Sequence, residues 1–221
     1  MSYAEILVHD LSHFGRRNLL WMTWNLTLAI VPAVLAVGLF ARRDRNGGPL
    51  WFAGVAAFVL MLPNAPYVVT DLIHLRRDAT LASADGSVVL GVLPVYGLFV
   101  AVGFACYGVA LAQLTAFARR AGWRWSTLRI ELAVHAVVSV GIVLGRIARL
   151  NSWDAVTRPV DTIGTVGATL TWDKAPIAVA LTFTAVWATH TILSTLYRAA
   201  AGWFTSRAPG HSQPYGRFVP G

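Results

Sequence analysis

The stretch LPNAPYVVTDLIHL, residues 62–75, interrupts an apolar run that is otherwise long enough for a membrane-spanning helix. The uninterrupted part, residues 50–62, would cover only about 20 Å of the ~30 Å hydrocarbon layer, so the sequence predicts a break inside the membrane. Pro63 disfavours helix in the residue before it, whereas Asn64 and Pro66 are typical of a helix that begins again, with Asn64 as its cap. Interrupted helices at this depth often line ion or substrate sites.

The rest of the chain has the composition of a polytopic membrane protein. Of its 221 residues 56% are hydrophobic and only 13% are charged. Apolar runs long enough, or nearly long enough, to cross a bilayer as helices occur five times, at residues 18–40, 46–70, 86–118, 130–145 and 175–197. The predicted fold is therefore all-α, with about five transmembrane helices of which the second is broken.

Basic residues occur in short clusters at the ends of the apolar runs. The formal net charge is +8, which in a soluble protein would suggest nucleic acid as a partner. Here the arginines lie where anchors and orientation signals are expected, so the predicted partner is the lipid bilayer and not nucleic acid. If the N-terminus lies on the outer side of the membrane, slightly more basic residues lie on the cytoplasmic side than on the outer side. We therefore predict this orientation.

The pattern divides the chain into three parts. Residues 1–17 carry apolar side chains at helical spacing and predict an interfacial amphipathic helix. Residues 18–198 form the transmembrane domain, in which a threonine- and glycine-rich connection follows the fourth span. Residues 199–221 have the composition of a flexible tail.

Two polar stripes in the spans are expected to face each other, because lipid solvates neither. Tyr67, Asp71 and His74 share one face of the helix that begins after the break. On the fourth span a second stripe starts at Glu131; its further members are His135, Ser139, Arg146 and Arg149. The ends of spans two and four lie on the same side of the membrane, so Asp71 is predicted to pair with Arg146 or Arg149.

The segment LPNAPYVVTDLIHL, followed much later by GRIARLNSWD, resembles the two signature segments of an uncharacterised bacterial family, domain of unknown function 1361. The resemblance covers about residues 18–197. It implies a multi-pass helical protein of the bacterial cytoplasmic, or inner, membrane, and it implies no activity. Its segments contribute the predicted binding residues, which are Asn64, Tyr67, Thr70, Asp71, His74, Arg146, Arg149, Asn151, Ser152, Trp153 and Asp154.

Three interpretations of this polar site remain open. In the first, the arginines and the restarted helix bind or transport a small polar or anionic solute or a lipid headgroup. In the second, the protein is an intramembrane, metal-assisted hydrolase acting on a lipid or lipid-linked substrate; the candidate metal ligands are Asp71, His74, Glu131, His135 and His190. In the third, the polar residues form a structural clamp in a homo-oligomer or in an assembly partner of another membrane protein. No cofactor is specified.

Overall fold

The computed structural model describes residues 2–41, 47–83 and 85–207 of the chain. Within these ranges the regular structure is entirely helical, and five helical segments are long and apolar enough to cross a membrane. Both findings confirm the predicted all-α, polytopic fold. The spans, numbered one to five along the chain, are Tyr3–Phe40, Pro49–Thr80, Asp85–Arg120, Thr127–Ile147 and Ala175–Trp203.

Several spans contain more than one helical element. The α-helices, in chain order, are α1 (Tyr3–Phe40), α2 (Pro49–Met61), α3 (Asn64–Tyr67), α4 (Ile73–Thr80), α5 (Asp85–Ser87), α6 (Leu93–Arg120), α7 (Thr127–Ile147), α8 (Asp154–Thr157), α9 (Pro159–Leu170) and α10 (Ala175–Arg207). A 3₁₀ segment, Val68–Leu72, joins α3 to α4, and a π-helical segment, Val88–Val92, joins α5 to α6.

Helix α1 is a single element of 38 residues. It begins with a capping box, in which the Ser2 hydroxyl accepts from the Glu5 backbone N–H and the Glu5 carboxylate accepts from the Ser2 backbone N–H. Of the amphipathic segment predicted over residues 1–17, residues 3–17 are helical, and they continue into span one without an interruption. Helix α1 is about 57 Å long, well beyond the hydrocarbon thickness, and the interfacial position of its first residues stays a prediction.

The core lies where α1, span two and α6 pack together, and α7 packs against α10 on one side of it. At one end of the bundle, the Phe40 ring lies 5.1 Å from Phe58 and 5.3 Å from Phe117, measured between ring centroids. Span five contributes least to this core, because only 6% of its apolar window is buried against 22–33% for the other spans. The predicted contacts with a second copy or another membrane protein stay a prediction.

The break in span two is a change of helix type. Leu62 and Pro63 keep right-handed helical dihedral angles, so the chain passes from α2 through α3 and the 3₁₀ segment into α4 without leaving the helical path. Asn64 is not the cap that the sequence suggested. Its side-chain amide donates instead to the Met61 carbonyl at 3.0 Å, in place of the Ala65 backbone N–H, which donates to the Leu62 carbonyl.

Two connections differ from the sequence prediction. The segment after span four, expected as a threonine- and glycine-rich loop, folds into α8 and α9, since threonine and glycine do not prevent a short helix that begins at Pro159. Helix α10 extends to Arg207, so residues 199–207 are helical and not part of a flexible tail. Residues 208–221 of that predicted tail lie outside the described residues, as do the arginines at positions 42, 43 and 45.

Candidate functional site

Two glycines of α7 bring spans two and four into close contact. A Cβ atom at Gly141 would lie 2.4 Å from Cγ of Pro63, and one at Gly145 would lie 3.4 Å from Cε2 of Tyr67. The glycines are one helical turn apart, as are Pro63 and Tyr67, so the two helices meet at two successive turns. Small residues at such crossings let helix backbones approach closely in membranes.

Asp71 pairs with Arg146, one of the two arginines that the sequence offered as its partner. The Arg146 guanidinium lies 3.3 Å from Oδ1 of Asp71, and the side-chain amide of Asn25 donates to Oδ2 at 2.9 Å. Asp71 is only 3% exposed. Arg146 also donates to the Thr70 carbonyl at 2.8 Å and to the Tyr67 hydroxyl at 3.3 Å. These two charged side chains therefore satisfy each other and tie spans one, two and four together.

A cavity of about 490 Å³ lies beside this ion pair, between spans one, two and four and the α8–α9 segment. Its volume falls within the ~300–1,000 Å³ that small-molecule sites usually have. One end is apolar and the other is polar. The apolar end is lined by side chains that include Leu28, Val59, Leu60, Val137 and Val140, and the polar end presents Asn64, Tyr67, Arg149, Asn151 and Ser152.

Arg149 has an unusual backbone at the polar end of the cavity. Its φ is +54°, the one positive φ of a non-glycine residue in the described part of the chain. Helix α7 ends at Ile147, and Arg149 turns the chain towards α8. The side chain is exposed, and no hydrogen bond or ion pair joins it to another described residue. An L-residue in the left-handed region costs about 1–2 kcal/mol, so the position holds an unpaired cation where glycine would be more stable.

The turn after Arg149 is fixed by Asp154. Its carboxylate accepts the Asn151 backbone N–H at 2.7 Å and the Arg158 guanidinium at 2.9 Å. These two contacts, the backbone N–H first, hold the pKa of the Asp154 carboxyl below its usual value. The same turn places Ser152 within 3.1 Å of the Asn64 amide, which donates to its hydroxyl. Asp154 thus positions the polar end of the cavity without lining it.

Not every predicted site residue lies at the cavity. Trp153 does, as a 41% exposed side chain at its rim. Thr70 contributes its backbone carbonyl to Arg146, while its hydroxyl donates to the Tyr67 carbonyl. His74 packs against the Trp21 ring of α1, with centroids 5.5 Å apart, so it faces span one and not the cavity.

The candidate metal ligands lie in separate environments. His135 is buried, with Nδ1 2.7 Å from the Tyr107 hydroxyl, and its ring lies 5.3 Å from that of His190. Asp71 is engaged by Asn25 and Arg146 instead. Among the described residues, no group of three histidine, cysteine, aspartate or glutamate side chains is arranged to hold a metal ion. The histidines join spans three, four and five by hydrogen bonding and ring packing.

A second polar contact joins spans one and two, and the sequence analysis did not predict it. Asn18 donates to Asp78 at 2.9 Å, as does the Tyr96 hydroxyl, and Asp78 is 1% exposed. The signal was present in the sequence. Asn18 precedes Asn25 by two helical turns, and Asp78 follows Asp71 by two turns, which is the spacing by which two antiparallel helices repeat one contact.

The sequence of the chain matches a known protein family. A sequence model for a protein family of unknown function, DUF1361, matches residues 24–189. The chain belongs to this family. The matched range includes every residue that lines the 490 Å³ cavity of this DUF1361 protein, from Trp24 to Val166. No solved structure matches the chain.

Proposed function

We propose that this DUF1361 protein is a membrane-embedded binding protein whose cavity holds a ligand with an anionic group. The supporting observation is Arg149, an exposed cation at the polar end of the cavity that no described side chain neutralises. Guanidinium groups are well suited to bidentate recognition of phosphate and carboxylate. Amide and hydroxyl groups of Asn64, Asn151 and Ser152 stand beside it as further hydrogen-bond partners.

Arg146 has a different part in this proposal. The sequence suggested that both arginines bind the anion, but Arg146 already contacts Asp71, Thr70 and Tyr67. A ligand that took it from Asp71 would leave a carboxylate uncompensated in a largely buried position, at a cost of several kcal/mol. Arg146 therefore supports the fold beside the cavity, and Arg149 is the residue that contacts the ligand.

The metal-assisted hydrolase interpretation has less support. Four of its five candidate ligands divide among the Asp71 ion pair, the contact of His74 with Trp21 and the histidine cluster of His135 and His190, and a zinc site needs three or more ligands around one point. Binding of an anionic ligand requires only residues that already line one cavity.

The test is ligand-induced stabilisation of the purified protein in detergent. The probes are sn-glycerol 3-phosphate and dioctanoyl phosphatidylglycerol, and the variants are Arg149→Gln and, as a control, Arg129→Gln. Arg129 is an exposed arginine near the beginning of α7, away from the cavity. We expect at least one probe to raise the unfolding temperature of the wild type and of the control but not of Arg149→Gln, since a ligand stabilises only the state that binds it. An equal response of Arg149→Gln and wild type to both probes would refute the proposal.

A further inference from the structure

We infer that the anionic ligand is a membrane lipid, with the apolar end of the cavity holding one of its hydrocarbon chains. This inference rests on the proposed function, because it takes Arg149 as the residue that contacts the lipid's charged group. It adds the chemical class of the ligand and the direction in which the ligand lies.

The depth of the cavity in the membrane supports a lipid. Its lining follows α7 from Val137 to Gly145, a distance of about 12 Å at ~1.5 Å per residue, and continues beyond the end of the helix to Arg149. Val137 lies about 15 Å from the end of α7 at Ile147, which is near the middle of a ~30 Å hydrocarbon layer. The cavity therefore runs from the hydrocarbon interior to one end of the spans, and its polarity changes in the same direction.

The side walls of the cavity are open at hydrocarbon depth. Four of its lining residues are well exposed: Trp24 (56%), Val59 (45%), Leu60 (37%) and Val137 (54%). In a bilayer these side chains contact lipid tails. A hydrocarbon chain can thus enter between spans one, two and four from the side, without crossing water. A small water-soluble anion would leave the apolar half without a matching group.

The exposed apolar face of helix α9 favours a position of the polar end at the membrane surface. Its inner side chains, Thr162 and Val166, line the cavity, while Val160 and Ile163 point outward and are 80% and 73% exposed. A short helix with such a face, at the end of the spans, is typical of a segment that lies in the lipid headgroup region. The cation of Arg149 is then at the depth where a lipid carries its phosphate.

Chain length provides the first measurement. Phosphatidylglycerols with two hexanoyl or two octanoyl chains, and sn-glycerol 3-phosphate without chains, are titrated against the protein in one detergent at fixed concentration. The apparent Kd should fall about fourfold for each CH₂ group that becomes buried, and chain-free glycerol phosphate should bind weakest. If all three probes bind equally well, the ligand is a free anion and the inference is wrong.

Matched variants separate this inference from the proposed function. Val137→Trp fills the apolar end, and Val109→Trp is the control, because Val109 is a 44% exposed valine of α6 that does not line the cavity. We expect Val137→Trp to raise the Kd for dioctanoyl phosphatidylglycerol about tenfold or more and Val109→Trp to leave it unchanged. If Val137→Trp has no effect while Arg149→Gln abolishes binding, the anion site stands and the lipid inference fails.

A change of headgroup with the hydrocarbon chains held constant tests the anion site separately from the chain site. Dioctanoyl phosphatidylcholine has the same chains as the phosphatidylglycerol but a zwitterionic headgroup. If it binds as tightly and Arg149→Gln does not weaken either lipid, the chains alone are recognised and the proposed anion site is wrong. Preference for phosphatidylglycerol that is lost in Arg149→Gln, together with sensitivity to Val137→Trp, supports both proposals.

Discussion

Arg146 of span four lies 3.3 Å from Asp71 of span two, a residue 75 positions earlier in the chain. The two charges meet because the surrounding residues and lipid offer neither of them another counter-ion. Their contact ties spans two and four together beside the cavity.

Removal of both partners should therefore destabilise the fold by less than the sum of the two single removals. We expect Asp71→Asn and Arg146→Gln each to lower the free energy of unfolding by about 1–3 kcal/mol; the full ~3–5 kcal/mol of a broken buried pair is reduced because Arg146 is 31% exposed. The double variant should be more stable than the sum of the single effects predicts, by about 0.5–3 kcal/mol. Unfolding in detergent micelles measures this cycle, and strict additivity would show that the ion pair does not couple the spans.

Gly141 should be intolerant of any side chain. The Cβ atom of Gly141→Ala would lie 2.4 Å from Cγ of Pro63, a contact that requires span two or span four to move. We expect a loss of about 1–3 kcal/mol, as for other overpacked sites. Gly97→Ala in α6 is the matched control, because nothing lies within 4 Å of its Cβ position and alanine is the better helix former. Equal stability of the two variants would contradict the close packing at Gly141.

The Asp71–Arg146 pair could be predicted from sequence because charged residues are rare in this chain and lipid excludes them from most other positions. The sequence could not decide, however, whether Arg146 or Arg149 is the partner of Asp71. Both fall on one stripe of an ideal helix, but α7 ends at Ile147 and the left-handed backbone of Arg149 removes it from that stripe. The cavity could not be predicted either, because it depends on α9, whose threonines and glycines suggested a loop.

The turn held by Asp154 should depend on pH. Its folded-state pKa lies below the ordinary value of 3.8, so its contribution to stability is fully present above about pH 4 and is lost as the pH falls through the folded-state pKa. Asp154→Asn should be less stable than the wild type at pH 6, and this difference should shrink towards pH 3. Thermal unfolding at several pH values measures it. A difference that stays constant over this range would mean that the charge of Asp154 does not stabilise the turn.

Arg149 should show opposite effects on stability and on ligand binding. Arg149→Gly removes the steric cost of a Cβ atom at φ +54°, so we expect it to raise the free energy of unfolding by about 1 kcal/mol relative to Arg149→Ala. Both variants lack the guanidinium and should lose the stabilisation by dioctanoyl phosphatidylglycerol. The comparison with alanine is essential, because both substitutions remove the same charge and differ only in the Cβ atom. If glycine is the less stable of the two, the backbone at this position is not strained. If glycine is more stable and still responds to the lipid as the wild type does, the strained backbone exists but Arg149 does not bind the anion.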